Sequence, residues 1–483
     1  MRESLRLQTV PQMSEAAKLA WLAQYLPQFK GSGIVYTLTV RWTERIARWL
    51  NSRGITAAAY SADLSNDERL EKEEQLLTNK IKALVATTAL GMGYDKPDLG
   101  FVVHFHQPAS VIHYYQQVGR AGRAISQAYG VMLSGGDDRN INDYFIENAF
   151  PTEEEITTIL EALEQSEGGL KIRELEATVN IAHTRMERAL KMLAVESPAP
   201  IVSLDNKWLA TAHLYDPGRR RQLVARLTQL RCEEQAQMDA YLCHRKCLME
   251  FLARALDDPA AGPCRRCAPC VGKPEALRDV RADLTREAGA FLRLCDVPIE
   301  PRKQWRANAL TVYNWRGNIA ADRKAEPGRA MCILGDSGWG ELVRRGKYQE
   351  NRFDDELVEA LANLVCRWHP HPTPTWMACI PSLNHPHLVP DLAQRLAARL
   401  QIPFVRAVRK VRVIRPQKQM ENSWHQLHNL DGAFAIDGWK GMTAPGFLVD
   451  DVVDSGWTFT IVAALLRKAG SGPVFPLALA ANR

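Results

Sequence analysis

No stretch of this chain is apolar over the roughly 20 residues that a membrane-spanning helix needs, so no membrane partner is expected. The opening residues MRESLRLQTV have no apolar core of the secretory type. Ten cysteines among 483 residues are too few for a disulfide scaffold, which points to reduced thiols in a cytoplasmic, nucleoid-associated setting. Thirty glycines and 26 prolines are an ordinary share, which argues against extensive disorder. Charge of one sign is also scarce. The formal net charge is +6, which permits nucleic-acid binding without demanding it. What is present is ordinary globular chemistry, with 46% hydrophobic and 24% charged residues over a length that suggests several domains.

From about Lys30 to Ser134 short apolar runs alternate with helical patterns. Candidate strands are Ile34–Leu38, Ala57–Tyr60, Ala83–Thr87, Phe101–Phe105 and Gly130–Leu133, with helices at Val40–Asn51, Ser65–Thr78 and Val111–Gln117. Ser65 and Glu68 form a capping box. This alternation predicts a parallel sheet covered on both faces, with functional residues in the loops after the strands' carboxyl ends. Residues 149–213 then read as three helices and a small hairpin (Ile201–Leu204, Lys207–Ala210), a winged-helix-like domain. Residues 214–279 read as a zinc-binding helical domain. Residues 280–483, with a core near 325–483, return to an α/β pattern. The expected fold is therefore multidomain α/β, with a parallel-sheet domain over 1–148.

Cys264, Cys267 and Cys270 stand at C-x2-C-x2-C spacing, which lets one turn aim several thiolates at a single metal. Tetrahedral zinc needs a fourth ligand, and Cys247 is favoured with Cys243 in reserve, the two being expected to share a helix face. Four protein ligands leave no place for an activated water, so the zinc is structural. Cys232, Cys295, Cys332, Cys366 and Cys379 read as isolated buried hydrophobes.

Two segments of the first domain carry chemistry. Val85 to Pro97 runs from a strand into a glycine-bearing loop with Thr87, Thr88, Gly91, Gly93 and Asp95. Gln116-Gln117-Val118-Gly119-Arg120-Ala121-Gly122-Arg123 sets two guanidiniums three residues apart between glycines, an arrangement suited to a polyphosphate whose charge builds up during transfer. In this order, and with Ile34–Thr39 ahead of them, the segments resemble motifs IV, V and VI of the second RecA-like domain of superfamily 2 helicases, most closely the RecQ family. A four-cysteine module in the following helical region is similar to that family too. The resemblance covers roughly residues 1–275. It implies that Arg120 and Arg123, with Gln116, serve catalysis at an ATP site that Gly91, Gly93 and Asp95 help to form, and that Thr87 and Thr88 touch the DNA strand.

No G-x-x-x-x-G-K-[ST] loop occurs: Gly346-Lys347 is followed by Tyr348 and Gly272-Lys273 by Pro274. The resemblance therefore implies the C-terminal part of a RecQ-like ATP-dependent 3′–5′ DNA helicase, a truncation or one piece of a split motor. ATP and magnesium would be used only with a first motor domain, carried elsewhere or on a separate chain.

Phe447 to Thr458 is an apolar strand ending in Asp450-Asp451, then Asp454, Ser455, Gly456 and Thr458 before a helix expected at Ile461–Ala469. Paired carboxylates can accept from two ribose hydroxyls, and a helix start can hold a phosphate. This resembles the phosphoribosyl pyrophosphate (PRPP) loop of type I phosphoribosyltransferases. Arg415, Gln417, Gln419, Asn429 and Gly432–Phe434 are similar to its ComF-like branch, with Ser382–Pro386 as a pyrophosphate loop. The resemblance implies PRPP and magnesium as ligands. The whole arrangement resembles RecQ-like helicases with a phosphoribosyltransferase-like tail (RqlH type).

Basic clusters at Arg219–Arg221 with Arg226 and Arg231, at Arg302, Lys303 and Arg306 around Trp305, and at Arg406–Arg415 are candidate contacts to single-stranded or tailed duplex DNA, the last set serving a pyrophosphate site instead in a second reading. Two other functions stay open: a phosphoribosyltransferase using PRPP with a vestigial helicase remnant, and a non-catalytic DNA-binding adaptor.

Overall fold

A computed structural model describes residues 3–90, 94–273, 277–336, 338–382, 385–439 and 442–482. The first segment builds a sheet from β1 (Leu5–Val10), β2 (Gly33–Tyr36), β3 (Ala57–Tyr60), β4 (Ala83–Ala86), β5 (Phe101–His104) and β6 (Ala128–Leu133). All six pair in parallel, in the order β1-β6-β5-β2-β4-β3. Alternate residues along the strands feed two cores. Ile34, Leu84 and Val102 face one, and Val35, Val85 and Val103 the other. The helices α1 (Glu15–Tyr25), α2 (Val40–Ser52), α3 (Asn66–Leu77), α4 (Val111–Val118) and α5 (Gly136–Glu147) connect them. The Ser65 and Glu68 capping box starts α3. The strand β1 was not anticipated. Its Leu5 and Leu7 are buried and its register on β6 is complete, so pairing rather than intrinsic pattern makes it a strand.

Next come α6 (Glu153–Glu164), α7 (Ile172–Thr178), α8 (His183–Leu193) and the hairpin β7 (Ile201–Leu204)–β8 (Lys207–Ala210), which gains a bridge from Leu170 to Trp208. Then α9 (Pro217–Leu242), α10 (Leu248–Ala255) and α11 (Ala282–Arg293) follow.

The last segment comprises β9 (Val297–Ile299), β10 (Gly328–Ile333), α12 (Trp339–Arg345), α13 (Asp355–Trp368), β11 (Trp376–Cys379), α14 (Leu388–Leu400), β12 (Val408–Lys410), α15 (Ser423–Asn429), β13 (Phe434–Ile436), β14 (Gly446–Val453), α16 (Trp457–Lys468) and β15 (Val474–Ala481). Its five-stranded sheet runs β11-β14-β15-β10-β9, parallel except for β9 at the edge. The strand expected at Phe404–Val408 is displaced. Phe404 makes a single bridge to Met377, and β12 begins only at Val408, paired with β13. The expected helix at Ile461 starts four residues earlier, at Trp457, because Gly456 turns the chain with φ 78°.

The chain divides into two compact units, residues 1–149 with 218–292, and residues 150–217 with 293–483. In the first unit a buried ion pair ties α1 to α5. Lys18 Nζ lies 2.7 Å from Asp138 Oδ1, and Asp138 Oδ2 accepts from the backbone of Gly135 and Gln107. Both side chains are almost fully buried. Removing one partner strands the other charge, so Lys18→Met should cost about 3–5 kcal/mol and lower the urea midpoint of this unit. Lys18→Met combined with Asp138→Leu should recover most of the loss. Equal midpoints for wild type and Lys18→Met would show that the pair contributes nothing.

Candidate functional site

The arginine segment follows α4 and precedes β6. It therefore lies on the amino side of the strands, not after a carboxyl end as the strand pattern suggests. Three bonds seat it there: Ser4 Oγ donates to Gly122 O (2.6 Å), Gly122 N to Leu99 O (3.0 Å) and Ala124 N to Pro97 O (2.7 Å). Gly122 has φ 74°, and a Cβ there would meet Ser4 Oγ at 2.4 Å, so the position requires glycine.

The connection from β4 to β5 must cross the sheet, because both strands run parallel on either side of β2. No helix occurs in it among the described residues. Arg120 reaches this crossover, donating to Tyr94 O (3.1 Å) and Leu90 O (3.4 Å). Arg123 Nη1 lies 2.6 Å from Asp95 Oδ1, in a partly exposed ion pair. Arg120, Arg123 and Asp95, nominated separately from sequence, are thus brought together. Gly91 and Gly93 lie outside the described residues. Thr87 is half-buried and Thr88 exposed just beyond β4, and Gln116 is exposed on α4.

Sequence reasoning missed the buried groups beneath. His104 Nε2 sits 2.6 Å from Gln117 Oε1, and burial pushes the His104 imidazole down to about 4 despite that bond. Burial raises the Tyr36 phenol to about 12, with Arg120 acting in the opposite direction. The Gln116-Gln117 pair carried the signal: of two adjacent glutamines on a helix, one faces inward.

Cys247, Cys264, Cys267 and Cys270 bring their sulfurs within 4.8 Å of one another. A tetrahedral ZnS4 centre has sulfur–sulfur edges of about 3.8 Å, so the set could hold zinc. Backbone donors already point at the sulfurs: Cys264 N (3.1 Å) and Glu250 N (3.3 Å) at Cys247 Sγ, and Cys267 N (3.3 Å) at Cys264 Sγ. Burial opposes ionisation of Cys247, yet these donors hold its thiol below the usual value. Cys243 is exposed and outside the cluster. It does not share a helix face with Cys247, because α9 ends at Leu242 and Cys247 is the N-cap of α10. Cys295, Cys332 and Cys379 are buried as expected, whereas Cys232 and Cys366 are exposed on helices.

In the second unit Asp450 and Asp451 lie within β14, which was expected to end at them but stays paired with β15 through Val453. Lys347 Nζ lies 3.0 Å from Asp451. Burial and the neighbouring Asp451 push the Asp450 carboxyl well up, with Lys347 pulling it back. Asp454 is also raised, by burial first. Gly456 caps α16 and Thr458 lies in its first turn. Asp454, Ser455 and Gly456 line a 410 Å³ cavity with Arg302 and Lys303. Arg302 Nε donates to Ser455 O (3.0 Å), and its guanidinium stacks on Trp457. Asn429 gathers its predicted neighbours, donating to Arg415 O (2.8 Å) and Gln417 Oε1 (2.6 Å). Of the loop at Ser382–Pro386, residues 383 and 384 lie outside the described residues.

Two features proposed for nucleic acid are placed differently from expectation. Trp305 is buried against Trp315 and Trp457, so its ring is not available to an unpaired base. Arg220 is buried on α9, while Arg219, Arg221, Arg226 and Arg231 are exposed. Packing, which no charge pattern reports, decides both.

Comparison with known proteins matches residues 17–125 to the family described as the helicase conserved C-terminal domain. The probable ATP-dependent DNA helicase RecS of Bacillus subtilis is 30% identical over 167 residues, covering 34% of this chain and 34% of that protein. The ATP-dependent DNA helicase RecQ of Synechocystis is 34% identical over 158 residues, 31% of this chain and 33% of that one. The ATP-dependent DNA helicase Q1 of Mus musculus is 38% identical over 112 residues, 23% and 17% of the two chains. The chain thus spans about a third or less of the length of these curated relatives.

For the metal, chain purified without chelator should carry about one zinc. Cys247→Ser should lower that content and Cys243→Ser should leave it unchanged. Metal analysis showing the reverse dependence would reassign the fourth ligand.

Proposed function

We propose that this chain, which carries a helicase C-terminal domain with RecQ- and RecS-type homologues, is the part of a RecQ-like ATP-dependent DNA helicase that binds DNA and supplies arginines to a nucleotide site. The observation that carries the reading is the convergence of Arg120, Arg123 and Asp95 on one crossover. Two guanidiniums held beside Leu90, Tyr94 and Asp95 form one wall of a triphosphate pocket. The opposite wall needs a phosphate-binding lysine and magnesium-binding acids, and the 483 residues hold no G-x-x-x-x-G-K-[ST] loop. Hydrolysis then depends on a first motor domain. Zinc in the cysteine cluster is structural: it would be held by Cys247, Cys264, Cys267 and Cys270 and supply no reactive position. Arg219, Arg221, Thr87 and Thr88 contact the DNA backbone, and 3′–5′ unwinding is the activity of the complete motor.

The test is DNA-stimulated ATP turnover. The chain alone should show none above background. Supplied in trans with a RecA-like domain bearing the lysine loop, it should turn over ATP, and Arg120→Ala or Arg123→Ala should cut that turnover by about 10³-fold or more. Turnover by the chain alone, or turnover in trans indifferent to both arginines, overturns the reading.

A second reading concerns the C-terminal α/β domain and is favoured by the paired acids of β14 and the loop that follows it. Asp450 and Asp451, followed by Asp454, Ser455, Gly456 and Thr458, form a phosphoribosyltransferase-like loop able to take a ribose phosphate such as PRPP. Lys347 neutralises Asp451 and competes with ribose hydroxyls for it, so binding without turnover is the expected behaviour. Calorimetry with PRPP and magnesium should show binding weakened by Asp450→Asn and strengthened by Lys347→Ala. No binding by either wild type or Lys347→Ala would remove PRPP from the account.

A further inference from the structure

We propose that the C-terminal α/β domain shares a nucleic-acid site with the helix–hairpin module of residues 150–217, and that the groove between them takes a phosphodiester backbone. The inference rests on the reading that the chain binds DNA and adds where this unit does so.

The two modules are joined by a buried asparagine. Asn422 Nδ2 donates to Glu176 O (3.0 Å), Val179 O (2.8 Å) and Ile181 O (3.2 Å), all in or beside the turn from α7 to α8. Its Oδ1 accepts from Trp424 N and His425 N, capping α15. Asn180 completes the junction, donating to Gln419 O (2.7 Å) and accepting from Glu421 N (2.8 Å). An amide buried with both ends engaged cannot be released without stranding several polar groups, so the modules move as one body.

Beside this junction lies a 690 Å³ groove. Lys171, Arg173 and His183 come from the helical module, Asn206 from the hairpin turn, and Arg306, Glu421 and Ser423 from the C-terminal domain. Among the described residues no carboxylate lies within ion-pair distance of Lys171, Arg173 or Arg306. The one buried acid in the lining, Glu176, is already engaged by His183 (2.8 Å). Lys171 and Arg173 also sit at the start of α7, where cations oppose the helix dipole. Three cations without counter-ions, on two modules locked together, are poorly suited to internal stability. An extended polyanion satisfies all of them, because its charges repeat along its length. The groove is open, and of its lining residues only Ile172 is apolar, which argues against a compact apolar ligand.

The test uses the full chain and 5′-labelled tailed DNA and RNA of one sequence, with affinity read by fluorescence anisotropy across a salt series. Lys171→Gln/Arg173→Gln/Arg306→Gln should weaken binding by about tenfold or more at moderate salt. It should also make the plot of log affinity against log salt shallower by about two to three units. Arg306→Gln alone should lose part of both, and Arg306→Lys should restore it. Unchanged zinc content and circular dichroism establish that the variants fold. A triple variant with wild-type affinity and slope, or an Arg306→Gln indistinguishable from wild type, overturns the shared site while leaving DNA binding elsewhere intact. Wild-type chain that binds neither polymer overturns the DNA-binding reading and this inference together. Binding confined to RNA supports the groove and overturns DNA as its ligand.

Discussion

A parallel sheet cannot pass from one strand to the next without carrying the chain back across itself. At most connections in the first unit a helix does this and satisfies its own backbone. Between β4 and β5 the described chain has no helix, so its carbonyls must find donors elsewhere. Arg120 supplies two of those donors, at Leu90 and Tyr94, and Lys96 adds bonds to Leu77 O and Asp98. The irregular crossover and the arginine segment therefore depend on each other. One lacks donors, and the other holds guanidiniums within reach because Ser4 and Leu99 fix Gly122.

The second unit solves a similar problem with charge. Within β14 two adjacent carboxylates are drawn out of water, which raises their energy unless a cation or proton intervenes. Lys347 reaches Asp451, and desolvation favours the protonated form of Asp450. Arg302, clamped to Ser455 O and stacked on Trp457, places further positive charge beside the same loop.

Much of this was legible in the sequence, for reasons that can be named. Strands β2 to β5 announce themselves as short apolar runs between capped helices, and the sheet needs their burial on both faces. The three close cysteines announced a metal site, because two-residue gaps have few other uses. What stayed hidden depends on long-range packing. β1 becomes a strand by pairing with β6. Cys243 lies outside the sulfur cluster, the helix stopping at Leu242 one residue before it. Trp305 and Arg220 are buried although their neighbours in sequence are charged. The arginine segment was recognised by composition, yet its place on the amino side of the sheet follows from α4 returning the chain from the carboxyl end of β5 to the start of the parallel strand β6.

The two arginines differ in what it costs to free them, and that difference assigns them distinct work under the proposed function. Arg123 is held by an ion pair more than a third exposed on both sides, of a kind worth at most about 1 kcal/mol. An arriving phosphate can take over that guanidinium at little expense, with Asp95 returning to solvent. Arg120 is bonded to two backbone carbonyls in a half-buried setting, and each carbonyl left unsatisfied would cost about 1–3 kcal/mol. Its release is favourable only if the crossover rearranges at the same time. Arg123 then suits the mobile contact to transferring phosphate. Arg120 suits the element that converts nucleotide arrival into movement of the segment between β4 and β5, whose first residues, Thr87 and Thr88, are the ones nominated to touch the nucleic-acid strand.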